Sequence, residues 1–163
     1  MLMPRFLFRL FCYFSLVLLI PAGFAQAQKG LKTKKIVEYF KEDSSKIEYV
    51  FYVLDTATDV KHGTYTWFFD NGRKKAVTQY VLGLVEGEFQ TFYRSGVKRS
   101  EGTFRQGVID GPCTNYFGSG QVENTGEYAT GRRHGYWKYY NAGGGVVKTV
   151  EYNYGTEVKA PEN

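Results

Sequence analysis

Residues 86–111 read EGEFQTFYRSGVKRSEGTFRQGVIDG, and this stretch decides the fold. The dipeptide Glu86-Gly87 at its start returns as Asp110-Gly111 after 24 residues. The same position falls at His62-Gly63 and at His134-Gly135, so the unit occurs four times without an insertion. A fixed period of this length is the signature of a repeat architecture and takes precedence over local secondary-structure signals.

Further glycines and an aromatic residue recur at fixed points within each unit. A glycine follows the dipeptide glycine after nine and again after twenty residues, and an aromatic residue follows it after seventeen. The repeat glycines are Gly63, Gly72, Gly83, Gly87, Gly96, Gly107, Gly111, Gly120, Gly131, Gly135, Gly144 and Gly155. We predict that these glycines are structural and mark turns, where a positive φ is easiest for glycine.

Each unit is predicted to be a β-hairpin. In the first unit Tyr65, Trp67 and Phe69 alternate with other residues, so a strand places them on one face. Asp70-Asn71-Gly72 then supplies a hairpin turn. Because one hairpin buries too little apolar surface to fold alone, the units must share stability with their neighbours. The sequence therefore predicts an all-β fold, an elongated single-layer antiparallel sheet of stacked hairpins with eight strands from four units.

The chain is predicted to have four parts. Residues 28–60 are interpreted as N-terminal strands that form a degenerate or capping repeat, with Asp55–Asp59 in place of a glycine link. These two strands bring the expected number to ten. The parts are a signal peptide (1–27), the N-terminal strands (28–60), the four repeats (61–155) and a frayed C-terminal tail (156–163).

The first 27 residues have the composition of an export signal. Arg5 and Arg9 are their only charges, and Leu10–Ile20 is an apolar run of 11 residues. Pro21 ends the run, and Ala25-Gln26-Ala27 has the small-x-small pattern that a signal peptidase accepts. We predict an exported protein, located in the periplasm, in the cell envelope or outside the cell. An uncleaved N-terminal anchor is the alternative.

Composition excludes several classes of protein. Aromatic residues make up 18% of the 163 residues, which is enough to support a core and argues against intrinsic disorder. Two cysteines are too few for a disulfide-stapled fold. A net charge of +5 gives no reason to expect a nucleic-acid partner. Cys113, which takes the place of Tyr65 and Trp137 in its unit, is interpreted as a small apolar filler.

No catalytic, cofactor-binding or metal-binding residue is predicted. His62 and His134 are the only histidines, and both fill a position that holds Glu86 and Asp110 in the other units. A position that accepts His, Glu or Asp is typical of a polar turn rather than of a general base. The two histidines are three repeats apart and cannot share a metal ion. The chain is therefore predicted not to be an enzyme and to need no cofactor.

Two sets of residues are candidates for binding. The first, here called the aromatic column, is predicted on the face opposite Tyr65 and Trp67, where it could take a sugar ring, a peptide or a lipid tail. The alternative is that neighbouring side chains cover these rings, with Gly102 and Gly126 leaving room for them. The aromatic column consists of Phe68, Phe92, Tyr116 and Tyr140.

The second set is basic and follows the turns of the first two units. Stacking in register would align these side chains in a stripe along one edge, suited to an anionic lipid headgroup or an acidic envelope polymer. A solvated edge that resists aggregation is the alternative. The residues are Lys74, Lys75, Lys98 and Arg99.

Segments such as HGYWKYY at residues 134–140, followed by Gly144, resemble the MORN repeat. They are most similar to its bacterial variant in YwqK-family antitoxins, and the resemblance covers residues 61–155. It implies a non-enzymatic hairpin scaffold that binds a protein, a membrane surface or a cognate toxin. We therefore expect an exported interaction module or scaffold at the cell envelope, antitoxin- or immunity-like. Binding of an envelope glycan or anionic lipid is the alternative, and the open sheet ends permit end-to-end self-association.

Overall fold

A computed structural model describes residues 31–54 and 60–158 of the chain. The predicted signal peptide, the segment Asp55–Asp59 and the last five residues lie outside the described residues. No described segment forms a helix with the length and apolarity needed to cross a membrane.

The described residues form one antiparallel sheet of 13 strands, which confirms the predicted fold class. The ten longer strands are neighbours in chain order, as stacked hairpins require. The strands are β1 (Thr33–Tyr39), β2 (Ile47–Leu54), β3 (Gly63–Phe68), β4 (Lys74–Val81), β5 (Leu84–Val85), β6 (Gly87–Phe92), β7 (Lys98–Arg105), β8 (Val108–Ile109), β9 (Gly111–Tyr116), β10 (Val122–Ala129), β11 (Arg132–Tyr140), β12 (Val146–Asn153) and β13 (Thr156–Glu157).

Three two-residue strands, β5, β8 and β13, were not among the ten expected. Each lies in the link between units, which the sequence predicts only as a turn. In the first link Leu82 and Gly83 have φ of 49° and 86°, and Val81 pairs with Leu84. Two successive residues with positive φ make the type I′ turn that joins tightly twisted strands, so the link is itself a small hairpin. Because β13 is such a strand, Thr156 and Glu157 are paired and do not belong to a frayed tail.

The hairpins of the four repeat units all close with the same three-residue loop. In the first, the Phe69 N–H donates to the Arg73 carbonyl at 2.8 Å and the Gly72 N–H donates to the Phe69 carbonyl at 2.9 Å. Gly72 has a φ of 78°, which is the left-handed residue that such a loop needs in third place. This agrees with the structural role predicted for the turn glycines.

A β-bulge follows each turn at the same repeat position. In the first hairpin Phe68 pairs with Lys74 and Trp67 with Ala76, so Lys75 is the extra residue. Bulges increase the local right-handed twist and redirect side chains. The residue at this position is Lys75, Arg99, Glu123 or Val147 in the four units.

Most of the buried side chains lie on one side of the sheet, here called the aromatic face, which carries Tyr65, Trp67, Phe89, Cys113 and Trp137. Its rings pack on one another, as in the edge-on contact of Tyr128 and Trp137 at 5.2 Å. Cys113 is 5% exposed, and burial raises the pKa of its thiol. The buried apolar residues are Phe51, Val53, Cys113, Trp137 and Val150.

Gly102 and Gly126 make room for rings of the aromatic face and not for the aromatic column. A Cβ on Gly126 would lie 2.3 Å from Cδ2 of Trp137, and one on Gly102 would lie 2.9 Å from Cε1 of Phe89. Residues paired directly across two antiparallel strands share a face of the sheet. Gly102 therefore lies on the same face as Phe89, and Gly126 lies on the same face as Cys113. The proposal that they accommodate the column is therefore wrong.

Candidate functional site

The position before the first glycine of each unit, here called the link slot, accepts a hydrogen bond from the following link in three of the four units. The Leu82 N–H donates to Nδ1 of His62 at 3.3 Å. The Gln106 N–H donates to Oε2 of Glu86 at 2.7 Å, and the Thr130 N–H donates to Oδ2 of Asp110 at 3.0 Å. The link slot therefore requires a side-chain acceptor, which is the property that His, Glu and Asp have in common.

The N–H groups that donate to the link slot belong to residues with a strained backbone. Leu82, Gln106 and Thr130 have φ near 50°, a region that costs a residue with a Cβ about 1–2 kcal/mol. The glycine that follows donates to the preceding link, as Gly83 does to the Lys61 carbonyl at 2.8 Å. Each link is thus held by the one before it, and the link slot contributes to cohesion of the sheet.

The last link slot differs from the other three. Nδ1 of His134 is buried and has no hydrogen-bond partner among the described residues. The ring of Tyr154 packs against the imidazole instead, with centroids 4.6 Å apart. No group of three or more His, Cys, Asp or Glu able to hold a metal ion occurs in the described part of the chain.

We expect Glu86→Met to lower the free energy of unfolding by about 1 kcal/mol, because the Gln106 N–H loses its acceptor. Glu86→Gln keeps an acceptor oxygen of nearly the same reach and should retain most of that stability. Urea denaturation of the two variants measures the difference. Equal stability of the Met and Gln variants would show that the slot does not need an acceptor.

The aromatic column lies on the opposite side, here called the column face, and all four rings are half-buried. The Tyr116 hydroxyl donates to Glu101, which also forms an ion pair with Lys98 at 2.8 Å. The Tyr140 hydroxyl is 3.5 Å from the Thr125 hydroxyl. The column is therefore tied into the sheet by the preceding unit.

Whether a column residue is Phe or Tyr correlates with the residue fifteen positions before it in the chain. Glu101 and Thr125, which contact the hydroxyls of Tyr116 and Tyr140, both lie fifteen residues before their partners. The same spacing places Val77 before Phe92, whose ring has no hydroxyl. The residue at this spacing is thus polar before each of the two tyrosines and apolar before Phe92.

The Glu101–Tyr116 contact predicts a pH dependence. The hydrogen bond to Glu101, together with burial, raises the pKa of Tyr116 to about 12. Its contribution to stability is present below pH 10 and is lost as the pH rises through about 12. The same bond and Lys98 lower the pKa of Glu101, whose contribution is lost as the pH falls below 4.5 through that lowered value.

Burial also raises the pKa of Tyr65, so titration of phenolate absorbance should show a late-ionising component that loses the amplitude of one tyrosine in Tyr116→Phe. In Glu101→Gln the carboxylate is gone, and the pKa of Tyr116 should fall back toward 10. An unchanged titration curve in Glu101→Gln would contradict the assignment. Lys148→Gln removes a charge from another unit and is the matched control.

The four basic candidates do not form a single stripe. Nζ of Lys75 lies 3.4 Å from the centre of the Trp67 ring, on the aromatic face. Lys98 is on the column face with Glu101, and Arg99 lies 5.8 Å from the centre of the Tyr93 ring. Lys74 is exposed. The cations divide between two faces because consecutive residues of a strand emerge on opposite faces, and Lys74–Lys75 and Lys98–Arg99 are consecutive pairs.

Cations also lie over rings of the aromatic face at a position that sequence reasoning missed. Nζ of Lys61 is 4.6 Å from the centre of Tyr65, and the guanidinium of Arg133 is 4.5 Å from that of Trp137. Lys61 and Arg133 are equivalent residues of the first and last units, where the middle units have Val85 and Ile109. The sequence signal for these cations was that this position is basic in the first and last units and apolar in the two middle units.

Strand β12 leaves part of one edge of the sheet open. Its equivalents pair with the next hairpin, as Ala76 does with Thr91 and Ser100 with Asn115. Among the described residues, β12 pairs on its outer side only with β13. Val146 and Val147 of β12 are 56% and 62% exposed. An edge of this kind is a template for pairing with another chain.

Comparison with known proteins finds a family model that matches two of the four units. A family model matches residues 61–81 and 85–106. It describes the MORN repeat variant. The MORN match covers the first two units, and it indicates a repeat module of the kind used for protein interaction.

No curated protein matches the chain. Among solved structures, the chain is similar to the crystal structure of a Staphylococcus aureus TarM mutant in complex with Fondaparinux, alpha-GlcNAc-glycerol and UDP. The identity is 14% and the TM-score is 0.32. The similarity covers 68% of this chain and 23% of the TarM chain, and at this TM-score it carries no argument about function.

Proposed function

We propose that this MORN-repeat chain is an exported, non-enzymatic module that binds another protein at the cell envelope. The open edge along β12 is the observation that carries the proposal. Lys148 and Thr149, the β12 residues equivalent to Ala76 and Val77, have no strand on their outer side among the described residues, and the side chains of Val146 and Val147 next to them are exposed. Such an edge recognises an extended segment of a partner by β-strand addition.

The roles of the titratable residues support a binding module over an enzyme. His62, Glu86 and Asp110 accept backbone hydrogen bonds in the links. Glu101 is held between Lys98 and Tyr116, and burial keeps the Cys113 thiol protonated by raising its pKa. These groups have structural partners and are not gathered around a common space.

Within this proposal, the finer role is antitoxin- or immunity-like. The predicted signal at residues 1–27 takes the chain out of the cytoplasm. The cognate toxin would therefore also be exported, and it would offer an extended strand to β12. Glycan or lipid binding by the aromatic column stays a prediction.

The proposal is tested by expressing the full chain with a photo-crosslinking amino acid at Val147, which is 62% exposed. The matched control carries it at Val150 in the same strand, which is 4% exposed. We expect cleavage after Ala27 by mass spectrometry and one discrete adduct in the envelope fraction from Val147 only. Retention of residues 1–27 in the cytoplasm, or no adduct from Val147, would contradict the proposal.

A further inference from the structure

The last unit holds a half-buried guanidinium without an acidic partner. An Arg133 guanidinium N–H donates to the Tyr139 hydroxyl at 3.0 Å and to the Tyr152 hydroxyl at 3.4 Å. Its carbon lies 4.5 Å from the centre of the Trp137 ring. Among the described residues no carboxylate is within ion-pair distance of Arg133. A partly buried charge that no carboxylate pairs with is an incomplete electrostatic arrangement.

The two tyrosines leave hydrogen-bond capacity beside that charge. Their hydroxyl oxygens are 3.4 Å apart and both accept from Arg133. Two hydroxyl protons are available and only one can lie between the two oxygens, so at least one O–H can donate outward. The bonds from Tyr139 and Arg133 also lower the pKa of Tyr152, which makes its O–H a stronger donor.

The net charge of the groups around Arg133 determines which class of ligand fits the cluster. Lys148 pairs with Tyr139 across the strands, and its ammonium lies 3.9 Å from a Glu157 oxygen. Glu157 lies opposite Tyr152, and its charge is offset by that of Lys148, so Arg133, Lys148 and Glu157 together carry a net charge of +1. One positive charge with a planar fork of donors matches a carboxylate better than a dianionic phosphate.

We propose that Arg133, Tyr139 and Tyr152 form a binding site for a carboxylate group on the aromatic face of the last unit. The guanidinium pairs with the carboxylate and a tyrosine O–H donates to one of its oxygens. Tyr152 belongs to β12, but it lies in the part of that strand that pairs with β13, so the site does not use the open part of the edge and does not depend on the proposed protein interaction. The middle units lack it, because Val85 and Ile109 replace Arg133.

The repeat itself supplies the variants that test the site. Arg133→Ile introduces Ile109, the residue of the second link, and Tyr152→Phe introduces the aromatic residue found as Phe104 two units earlier. Both are side chains that an equivalent position already accommodates. Lys61→Val, which removes the corresponding cation of the first unit, is the matched control, and circular dichroism checks that each variant folds.

Acetate is titrated into the full chain at constant ionic strength, with chloride as the reference, and the Nε–Hε resonance of Arg133 is followed by NMR. We expect saturation with a Kd on the order of 1 mM, unchanged in Lys61→Val. In Tyr152→Phe the Kd should rise about threefold or more. In Arg133→Ile, followed by backbone amide shifts of the last unit, saturation should disappear.

Larger probes distinguish the source of the carboxylate. Tighter binding of glucuronate points to an acidic glycan, tighter binding of N-acetylglutamate points to an acidic peptide, and equal binding supports the carboxylate alone. No saturation, saturation that persists in Arg133→Ile, or tighter binding of inorganic phosphate than of acetate would overturn the proposal.

Discussion

Replacing Trp137 by alanine is expected to lower the free energy of unfolding by about 3–5 kcal/mol. Trp137 is fully buried, packs edge-on against Tyr128 at 5.2 Å, and donates from Nε1 to the Glu127 carbonyl at 3.1 Å. A single-layer sheet has few such buried residues, so the loss is a large part of its stability of about 5–15 kcal/mol. Guanidinium denaturation followed by circular dichroism measures it.

Tyr136→Ala is the matched control for Trp137→Ala. It removes the neighbouring ring in the same strand, which is 65% exposed, and should change stability by about 0.5 kcal/mol or less. Similar losses in the two variants would mean that the aromatic face is not the packed side of the sheet.

Gly126→Ala is expected to lower the free energy of unfolding by about 3 kcal/mol, since the new methyl group overlaps a ring. Its Cβ would lie 2.3–2.5 Å from three carbons of Trp137. Gly126 lies in β10, and its φ is not positive, so the cost comes from the clash and not from the backbone. Thermal or denaturant unfolding reports the loss.

Two comparisons isolate that clash. Gly118→Ala places a methyl group where nothing lies within 4 Å and should leave stability nearly unchanged. In the Trp137→Ala background the ring is absent, and adding Gly126→Ala should cost less than about 0.5 kcal/mol more. Strict additivity of the two substitutions would contradict the assigned contact.

The period and its glycines were sufficient to predict the hairpins and their stacking. A three-residue loop ending at Gly72 and a type I′ turn ending at Gly83 both need a positive φ, and glycine shows that need directly in the sequence. Alternation of aromatic residues then identified the packed face, which carries Tyr65 and Trp67. These signals are local, so a single sequence is enough to read them.

Features that depend on contacts between units were not predictable in the same way. The bulge at Lys75 adds one residue without any sequence signal of its own, and it places both Lys75 and Ala76 opposite Trp67. The hydrogen bond from Leu82 to His62 spans twenty residues and a joint between units. Sequence reasoning identified the link slot as a polar turn position, but only the structure shows which N–H it accepts.

Three equivalent joints turn the four hairpins into one sheet, and NMR detects them through Hα–Hα contacts across the joints. Neighbouring hairpins should give the contacts Ala76–Thr91, Ser100–Asn115 and Asn124–Tyr139, which are 24 residues apart in register. Contacts within hairpins but none across the joints, or a different register at each joint, would contradict the account.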